Sequence, residues 1–294
     1  MPNRQRRSRP ARTATIALAV LGGAALAAAG LAAGGAWHWN RQTRRAVAAL
    51  HATADLRAPS EPQRFEPGLL DGLPVPVARY FEFAITPGRP LVRGARIVHR
   101  GEFRTSPEGP WAPFHSVEHF TAAPPGFVWD ASIRMMPLLG VRVRDSYIAG
   151  TGAMLGRVGA VLTVVDQRAT PELSAGALHR WLAELAWLPT ALLPGQGVEW
   201  TPIDETSATA TVADAGTRVS LTVRFDPEGG IAEVSGERYR DVDGVPIPTP
   251  WRGRFHNYAM VDGMRIPLSG EVAWLLPEGP FTYWRGDVES AVYD

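Results

Sequence analysis

The stretch ARIVHRGEF, residues 95–103, decides how this chain reads. Ala95, Ile97, His99, Gly101 and Phe103 fall on one side of an extended strand; Arg96, Val98, Arg100 and Glu102 fall on the other. Such alternation marks a strand with one face in a core and one in water, which is the habit of antiparallel sheets. Phe127, Trp129, Ala131, Ile133 and Met135 repeat it against Asp130, Ser132 and Arg134. Val141, Val143 and Asp145 alternate likewise with Arg142, Arg144 and Ser146. Downstream, further strands are predicted over Val198–Ile203, Ser207–Val212, Thr217–Phe225, Ile231–Arg240, Trp251–Met260, Ile266–Leu275 and Phe281–Val292. Turn signals separate them at Pro227–Gly230, Asp243-Gly244, Asp262-Gly263 and Glu278-Gly279.

Helical periodicity breaks in twice. Val77, Tyr80, Phe81, Ala84 and Ile85 share one face of a short helix. A stronger helix lies within Pro171–Leu188, with Thr170 or Ser174 as cap and Leu178, Trp181, Leu182 and Leu185 as its apolar stripe. Pro189 ends it, because the residue before a proline avoids helical geometry. Trp187 points away from that stripe, toward the Arg180 side, unless it lies beyond the helix just before Pro189. The whole predicts one α+β domain over residues 65–294. Its expected frame is a large antiparallel sheet with a few helices. No glycine fingerprint opens a strand–helix unit, so a dinucleotide fold is not expected.

Upstream of the sheet the composition changes. Residues 13–37, TATIALAVLGGAALAAAGLAAGGAW, carry no ionisable side chain, and as a helix they are long enough for a ~30 Å hydrocarbon layer. Arg4, Arg6, Arg7, Arg9 and Arg12 precede the run; Arg41, Arg44 and Arg45 follow it. The heavier upstream charge predicts a transmembrane anchor with its N-terminus inside and the C-terminal domain extracytoplasmic. A cleaved signal peptide is the competing reading, since Ala27-Ala28-Ala29 is a small-x-small site. GLAAG (30–34) has helix-dimer spacing, but an Ala/Gly-rich run produces that match by chance. Residues 1–12 form a basic tail, and 38–64 a juxtamembrane linker with helical composition over Ala46–Leu56.

All 30 basic residues of the 294-residue chain are Arg, and residues 1–45 hold 8 of them with no acid. The remaining 22 Arg face 29 acids, a net charge of −7 that argues against nucleic acid as a partner. Cysteine is absent, which removes disulfides, thiolate nucleophiles and cysteine metal sites.

His115-Ser-Val-Glu118-His119 matches the letters of a metalloprotease pattern, H-x-x-E-H. That chemistry needs both histidines and the glutamate together on a helix. Here Phe114, Ser116, Glu118 and Phe120 alternate with His115, Val117 and His119, so a strand sends Glu118 to the face opposite the histidines. No metal or other cofactor is expected. Asp204-Glu205 are adjacent acids after a strand; a glycosidase would need two carboxylates facing across a sugar, whereas neighbouring acids are commonly a solvated turn. A cell-envelope hydrolase drawing on His115, Glu118, His119, Asp204 or Glu205 is the alternative enzymatic reading. A structural or partner-binding envelope protein is the other.

The phrases LPVPVARYF (73–81), PPGFVWDASIRM (124–135), RDSYIAGTG (144–152), LHRWLAELAWLPTALLP (178–194), GVEWTPIDETSATATV (197–212), PWRGRF (250–255) and MRIPLSGEVAW (264–274) resemble a bacterial family of unknown function. Its members often carry a short hydrophobic N-terminus. The second half, through the Phe255–Pro267 phrase, also resembles the lipoprotein-carrier (LolA-type) fold. That resemblance implies a curved half-barrel, covered by helices, around an apolar cavity. Neither likeness carries over catalytic or binding residues.

Tryptophan is abundant, and its default role is core packing. Arg-Gly recurs on three predicted strands, at Arg100-Gly101, Arg252-Gly253 and Arg285-Gly286, either as sheet curvature or as a floor under a ligand. The expected function is a membrane-anchored domain binding a lipid-like or other amphipathic molecule in a sheet-lined cavity. Trp129, Arg134, Trp187, Trp200, Trp251, Tyr258, Trp284 and Arg285 are the candidate ligand contacts.

Overall fold

A computed structural model shows thirteen strands in one antiparallel sheet and three α-helices. It describes residues 11–55, 63–136 and 139–294; of residues 11–28, 55, 136 and 139 it describes the backbone alone. The strands are β1 (Gly94–Phe103), β2 (Ala112–Thr121), β3 (Gly126–Met136), β4 (Leu139–Ile148), β5 (Thr151–Val158), β6 (Leu162–Arg168), β7 (Val198–Pro202), β8 (Ser207–Asp214), β9 (Thr217–Phe225), β10 (Ile231–Val242), β11 (Val245–Val261), β12 (Met264–Leu276) and β13 (Gly279–Tyr293). The helices are α1 (Ala11–Asp55), α2 (Val75–Ala84) and α3 (Pro171–Glu184).

Two meanders make the sheet. β1 to β6 run outward one way and β13 back to β7 the other, joined where β1 pairs with β13. The hairpins follow local chemistry: at Asp243-Gly244 and Asp262-Gly263 both turn residues have positive φ, as a two-residue turn that matches strand twist requires. The sheet stays open, with β6 and β7 as edges, yet it curls until its wings touch. The Tyr147 hydroxyl on β4 donates to Asp214 Oδ2 on β8 at 2.9 Å, and Gln167 Nε2 on β6 donates to Asp241 Oδ2 on β10 at 2.8 Å.

Helix α3 lies inside this curl, packed against β3, β4 and β5 on one wing and β9 and β10 on the other. Thr170 caps it, its Oγ1 accepting from Leu173 N at 3.1 Å. The predicted stripe of Leu178, Trp181, Leu182 and Leu185 is buried. α2 and the 3₁₀ turns Leu185–Trp187 and Pro189–Leu192 fill the rest of that end of the concave face. Interior indoles are satisfied by carbonyls: Trp181 Nε1 donates to Thr121 O, Trp187 Nε1 to Pro267 O and Trp200 Nε1 to Leu192 O. This end is therefore a solid core, not a hollow.

On the convex face lies α1. The stretch 38–64, read above as a linker, is continuous helix through Asp55. Its Trp39 is fully buried against Leu155 and Ala160, with the guanidinium groups of Arg142, Arg144 and Arg157 set around the ring at 5.5, 4.8 and 5.9 Å. Trp39 Nε1 donates to both oxygens of Asp130 at 3.0 and 3.1 Å, and Thr43 Oγ1 donates to Asp130 Oδ2 at 2.8 Å. Among the described residues no helix is long and apolar enough to cross a membrane. Of the expected span 13–37, the side chains of 13–28 lie outside the described residues, as do residues 1–10 of the basic tail.

Candidate functional site

The concave face is read most easily along its register. One row runs His99–Ser116–Ala131–Val143, the next Ile97–Glu118–Trp129–Asp145, and a third Gly101–Phe114–Ile133–Val141–Val158. Arg180 reaches from α3 onto the second row. Its Nη2 donates to Glu118 Oε1 at 2.9 Å, its Nη1 to Asp145 Oδ2 at 2.8 Å and its Nε to Glu184 Oε1 at 2.8 Å. The same guanidinium lies over the Phe127 and Trp129 rings, 4.8 and 5.0 Å from their centroids. Three acids thus share one arginine in a low-dielectric place. Burial, with the Glu184 carboxyl alongside, raises the Glu118 pKa well above the usual carboxylate range. A proton held by Glu118 also supplies a donor between Glu118 Oε2 and Glu184 Oε2, which have no other partner.

Beside them, His99 is fully buried with neither ring nitrogen hydrogen-bonded, and its row neighbour Ser116 Oγ is equally unpartnered. The imidazole packs at 4.6 Å from the Trp187 ring and 6.0 Å from Trp284. Burial first, and Arg180 second, lower its pKa from 6.5 to about 3, so it is neutral.

Alongside the Arg180 cluster the third row is left partly open, although its Phe114 and Ile133 are buried. Gly101, Phe103, Val141, Val143, Val158, Trp274 and Tyr283 are half-buried there. Their side chains form an aromatic wall. Trp274 stacks on Tyr283 at 5.8 Å, Phe103 meets Tyr283 edge-on at 6.1 Å, and Phe114 stacks on Trp284 at 5.6 Å. Trp251 Nε1 donates to Tyr283 OH at 3.0 Å, and the Arg238 guanidinium covers the Trp251 ring at 4.7 Å. The recurring glycines explain how this wall fits. A Cβ on Gly286 would lie 2.9 Å from the Trp284 ring, and one on Gly253 would lie 3.2 Å from the Trp251 ring. Each glycine therefore seats the indole two residues upstream on its own strand.

The candidate residues divide accordingly. Trp251 and Trp284 lie buried beneath the partly open end, Trp129 lies in the second row under Arg180, and Trp187 lies deeper on the same face, in the 3₁₀ turn beyond α3. Arg134 and Arg285 point to the convex face. Arg134 is exposed there, and Arg285 lies 4.4 Å over Trp111 while paired with Glu102. Trp200 sits at the filled end between Phe81 and Phe225. Tyr258 also lies away from the wall. Its hydroxyl donates to Ile231 O at 2.8 Å, and its ring lines a cleft of about 390 Å³ with Phe83, Asp226 and Arg265. Arg180, Glu118, His99, Phe103, Trp274, Tyr283 and Arg238 belong to the site and were not singled out from sequence as ligand contacts.

The acid–histidine candidates do not converge. His115 and His119 face α1 on the convex side, in a cleft of about 290 Å³ shared with Thr43 and Asp130, while Glu118 faces the core. Asp204 is an exposed turn residue whose Oδ1 accepts from Thr206 N at 2.8 Å and Thr206 Oγ1 at 3.0 Å, which holds its carboxyl below the usual range. No group of three or more His, Asp or Glu side chains placed to hold a metal exists among the described residues.

Fold and site together define an antiparallel half-barrel, plugged by helices at one end and aromatic at the other. Residues 71–293 match DUF6920, a family of unknown function, and the chain belongs to that family. Among solved structures it is similar to a LolA superfamily protein from Nitrosomonas europaea, at 11% identity and TM-score 0.38, covering 74% of this chain and 90% of that one. It is also similar to a DUF1329 family protein from Desulfovibrio piger, at 9% identity and TM-score 0.40, covering 76% and 94%. No curated protein matches it.

Proposed function

We propose that this protein is a membrane-anchored, extracytoplasmic domain that takes a lipid-like, amphipathic molecule at the partly open end of its concave face. The observation that carries this reading is the half-buried aromatic wall of Phe103, Trp274 and Tyr283, with Trp251 and Trp284 beneath it. Half-buried rings gathered on a concave face favour an apolar ligand body. Arg238 and the Arg180 carboxylate cluster border the wall and offer a polar group its partners. The filled end narrows the expectation formed from sequence: the ligand lies along a wall and is not swallowed by a deep cavity. Residues 13–37 supply the anchor, and the Arg excess before them sets the orientation.

Photo-crosslinking tests the binding. The full chain, inserted in vesicles containing a diazirine-bearing phosphatidylglycerol, is expected to yield adducts on β11–β13 peptides as well as on α1. Trp274→Ala is expected to lower the β11–β13 yield about fivefold, in line with ~1 kcal/mol for an aromatic contact. Adducts confined to α1 would overturn the reading. Topology has its own test, made clean by the absence of native cysteine. Glu205→Cys, in the exposed β7–β8 turn, should react with a membrane-impermeant maleimide on intact spheroplasts. Labelling only after lysis would put the domain on the other side.

A further inference from the structure

The path of α1 over the convex face carries a consequence for that site. We infer that the aromatic end of the half-barrel is seated against the same bilayer that α1 enters, so that a lipid moves between membrane and wall without crossing bulk water. This rests on the anchored, lipid-binding reading above.

Three contacts fix the direction of α1. A Cβ on Gly35 would lie 2.6 Å from Val161 Cγ2 and 3.0 Å from Ala160 O, in the turn between β5 and β6. Trp39 packs on Leu155 and Asp130, midway along the strands. Leu50 Cδ1 lies 2.5 Å from where a Cβ on Gly126 would be, at the start of β3. The helix therefore runs antiparallel to β3, from the β5–β6 turn toward the filled end. Val158, the last residue of β5, belongs to the partly open row through Val141, Ile133 and Phe114. The N-terminal part of α1 thus leaves the sheet at the aromatic end, and its residues 29–34 are exposed because no strand lies beneath them.

The rim at that end is rich in apolar side chains, with the exposed Arg168–Asp166 pair of β6 among them. Among the described residues fourteen large apolar side chains are exposed, and nine of them gather here: Leu31 and Trp37 on α1, Met135, three on the β5–β6 turn and β6, and three on the β10–β11 hairpin. An apolar concentration of this kind on one end of a molecule marks an interaction surface. The occupant follows from continuity: the rim surrounds the exit of a helix whose next residues are an uncharged run. Trp37, with the Arg41 guanidinium 5.3 Å over its ring, is the pairing expected at the headgroup level of a bilayer. Of the two acids at the hairpin tip region, Asp241 is tied inward by Gln167 Nε2 and Gly244 N.

Single cysteines carrying an environment-sensitive fluorophore test the orientation. Ile247→Cys and Leu162→Cys probe the rim; Val75→Cys and Ile203→Cys, equally exposed, probe the opposite end. The full chain is inserted in vesicles of phosphatidylethanolamine and phosphatidylglycerol, with insertion scored by flotation. Labels at 247 and 162 are expected to emit at shorter wavelength and to be quenched by nitroxide-bearing lipid, while those at 75 and 203 are not. Rim labels that behave like the controls in floated chains overturn the orientation. Rim labels that shift but escape lipid quenching overturn it too, and assign the rim to a protein partner. Chains that fail to float refute the anchor, on which the orientation depends. Rim quenching without β11–β13 crosslinks refutes the binding reading and leaves the orientation standing, so the failures are distinguishable.

Discussion

Glu118 and His99 occupy adjoining rows of the concave face, and they titrate in opposite senses. Glu118 has its folded pKa raised, so its contribution to stability is present at low pH and lost as pH rises through that folded value. His99 has its folded pKa lowered to about 3, so its contribution is full above its ordinary 6.5 and lost as pH falls toward 3. Urea unfolding as a function of pH should therefore show stability declining on both sides. Glu118→Gln keeps the neutral shape; it is expected to cost less than about 1 kcal/mol at low pH and to lessen the alkaline-side decline, to which Glu184, its carboxyl also raised by burial, still contributes. His99→Phe, among aromatic neighbours, is expected to shrink the decline between pH 6.5 and 3, the remainder belonging to His179, whose burial lowers its pKa to about 4, and to His119. An unchanged alkaline limb in Glu118→Gln would mean that Glu118 is ionised in its pairing with Arg180. None of this cluster was visible locally. The H-x-x-E-H stretch did read as a strand with Glu118 turned from its histidines. That Glu118 then meets Asp145, Glu184 and Arg180 depends on strand register and on where α3 crosses, which no short window contains.

Among the elements, strands with a strict alternation were legible, and strands without one were not. β9 shows a strict period two because one face is core and the other is water, while β1 and β3 alternate in residue type although their outer Val98 and Val128 are buried. β5 and β6 do not: β5 spends two of its eight positions on Gly152 and Gly156, and β6 is an edge exposed along almost its whole length. Trp187 was legible as an anomaly of helical phase, and of its readings the one beyond the helix holds: α3 ends at Glu184 and a 3₁₀ turn carries Trp187. The Arg-Gly strands were legible as a repeat, while the indoles lying over Gly253 and Gly286 were not. Gly101 makes the sharpest element-scale prediction. Its Cβ would stand 2.1 Å from Arg285 O and 2.6 Å from Gly286 Cα, both backbone atoms of the neighbouring strand. Gly101→Ala should force β1 from β13 and cost roughly 3 kcal/mol in urea unfolding. Gly30→Ala, in open space on a helix, should be neutral or stabilising by up to about 1 kcal/mol. Equal effects at the two sites would refute the packing account.

At the scale of the whole molecule, an open sheet is held curled by a few contacts. α3 spans both wings, and Tyr147–Asp214 and Gln167–Asp241 join them directly. Tyr147→Phe is expected to lose only about 1 kcal/mol of stability. It should speed hydrogen exchange along β4 and β8 more than along β1 and β13, since the wing contact is lost while the centre is untouched. Uniform loss of protection would mean that the wings do not open separately. Periodicity made the antiparallel sheet legible and the family resemblance implied its curl, but neither told that helices fill half of it. The docking of α1 has one more consequence. Trp39, clasped by Asp130 and ringed by three arginines, leaves no slack between helix and sheet. The link behaves as an axle and not as a leash: any roll or tilt imposed on the helix is passed undiminished to the barrel. On the anchored reading proposed above, such a body can swivel in place but cannot wander, so whatever it takes up is taken up and given back at that one spot.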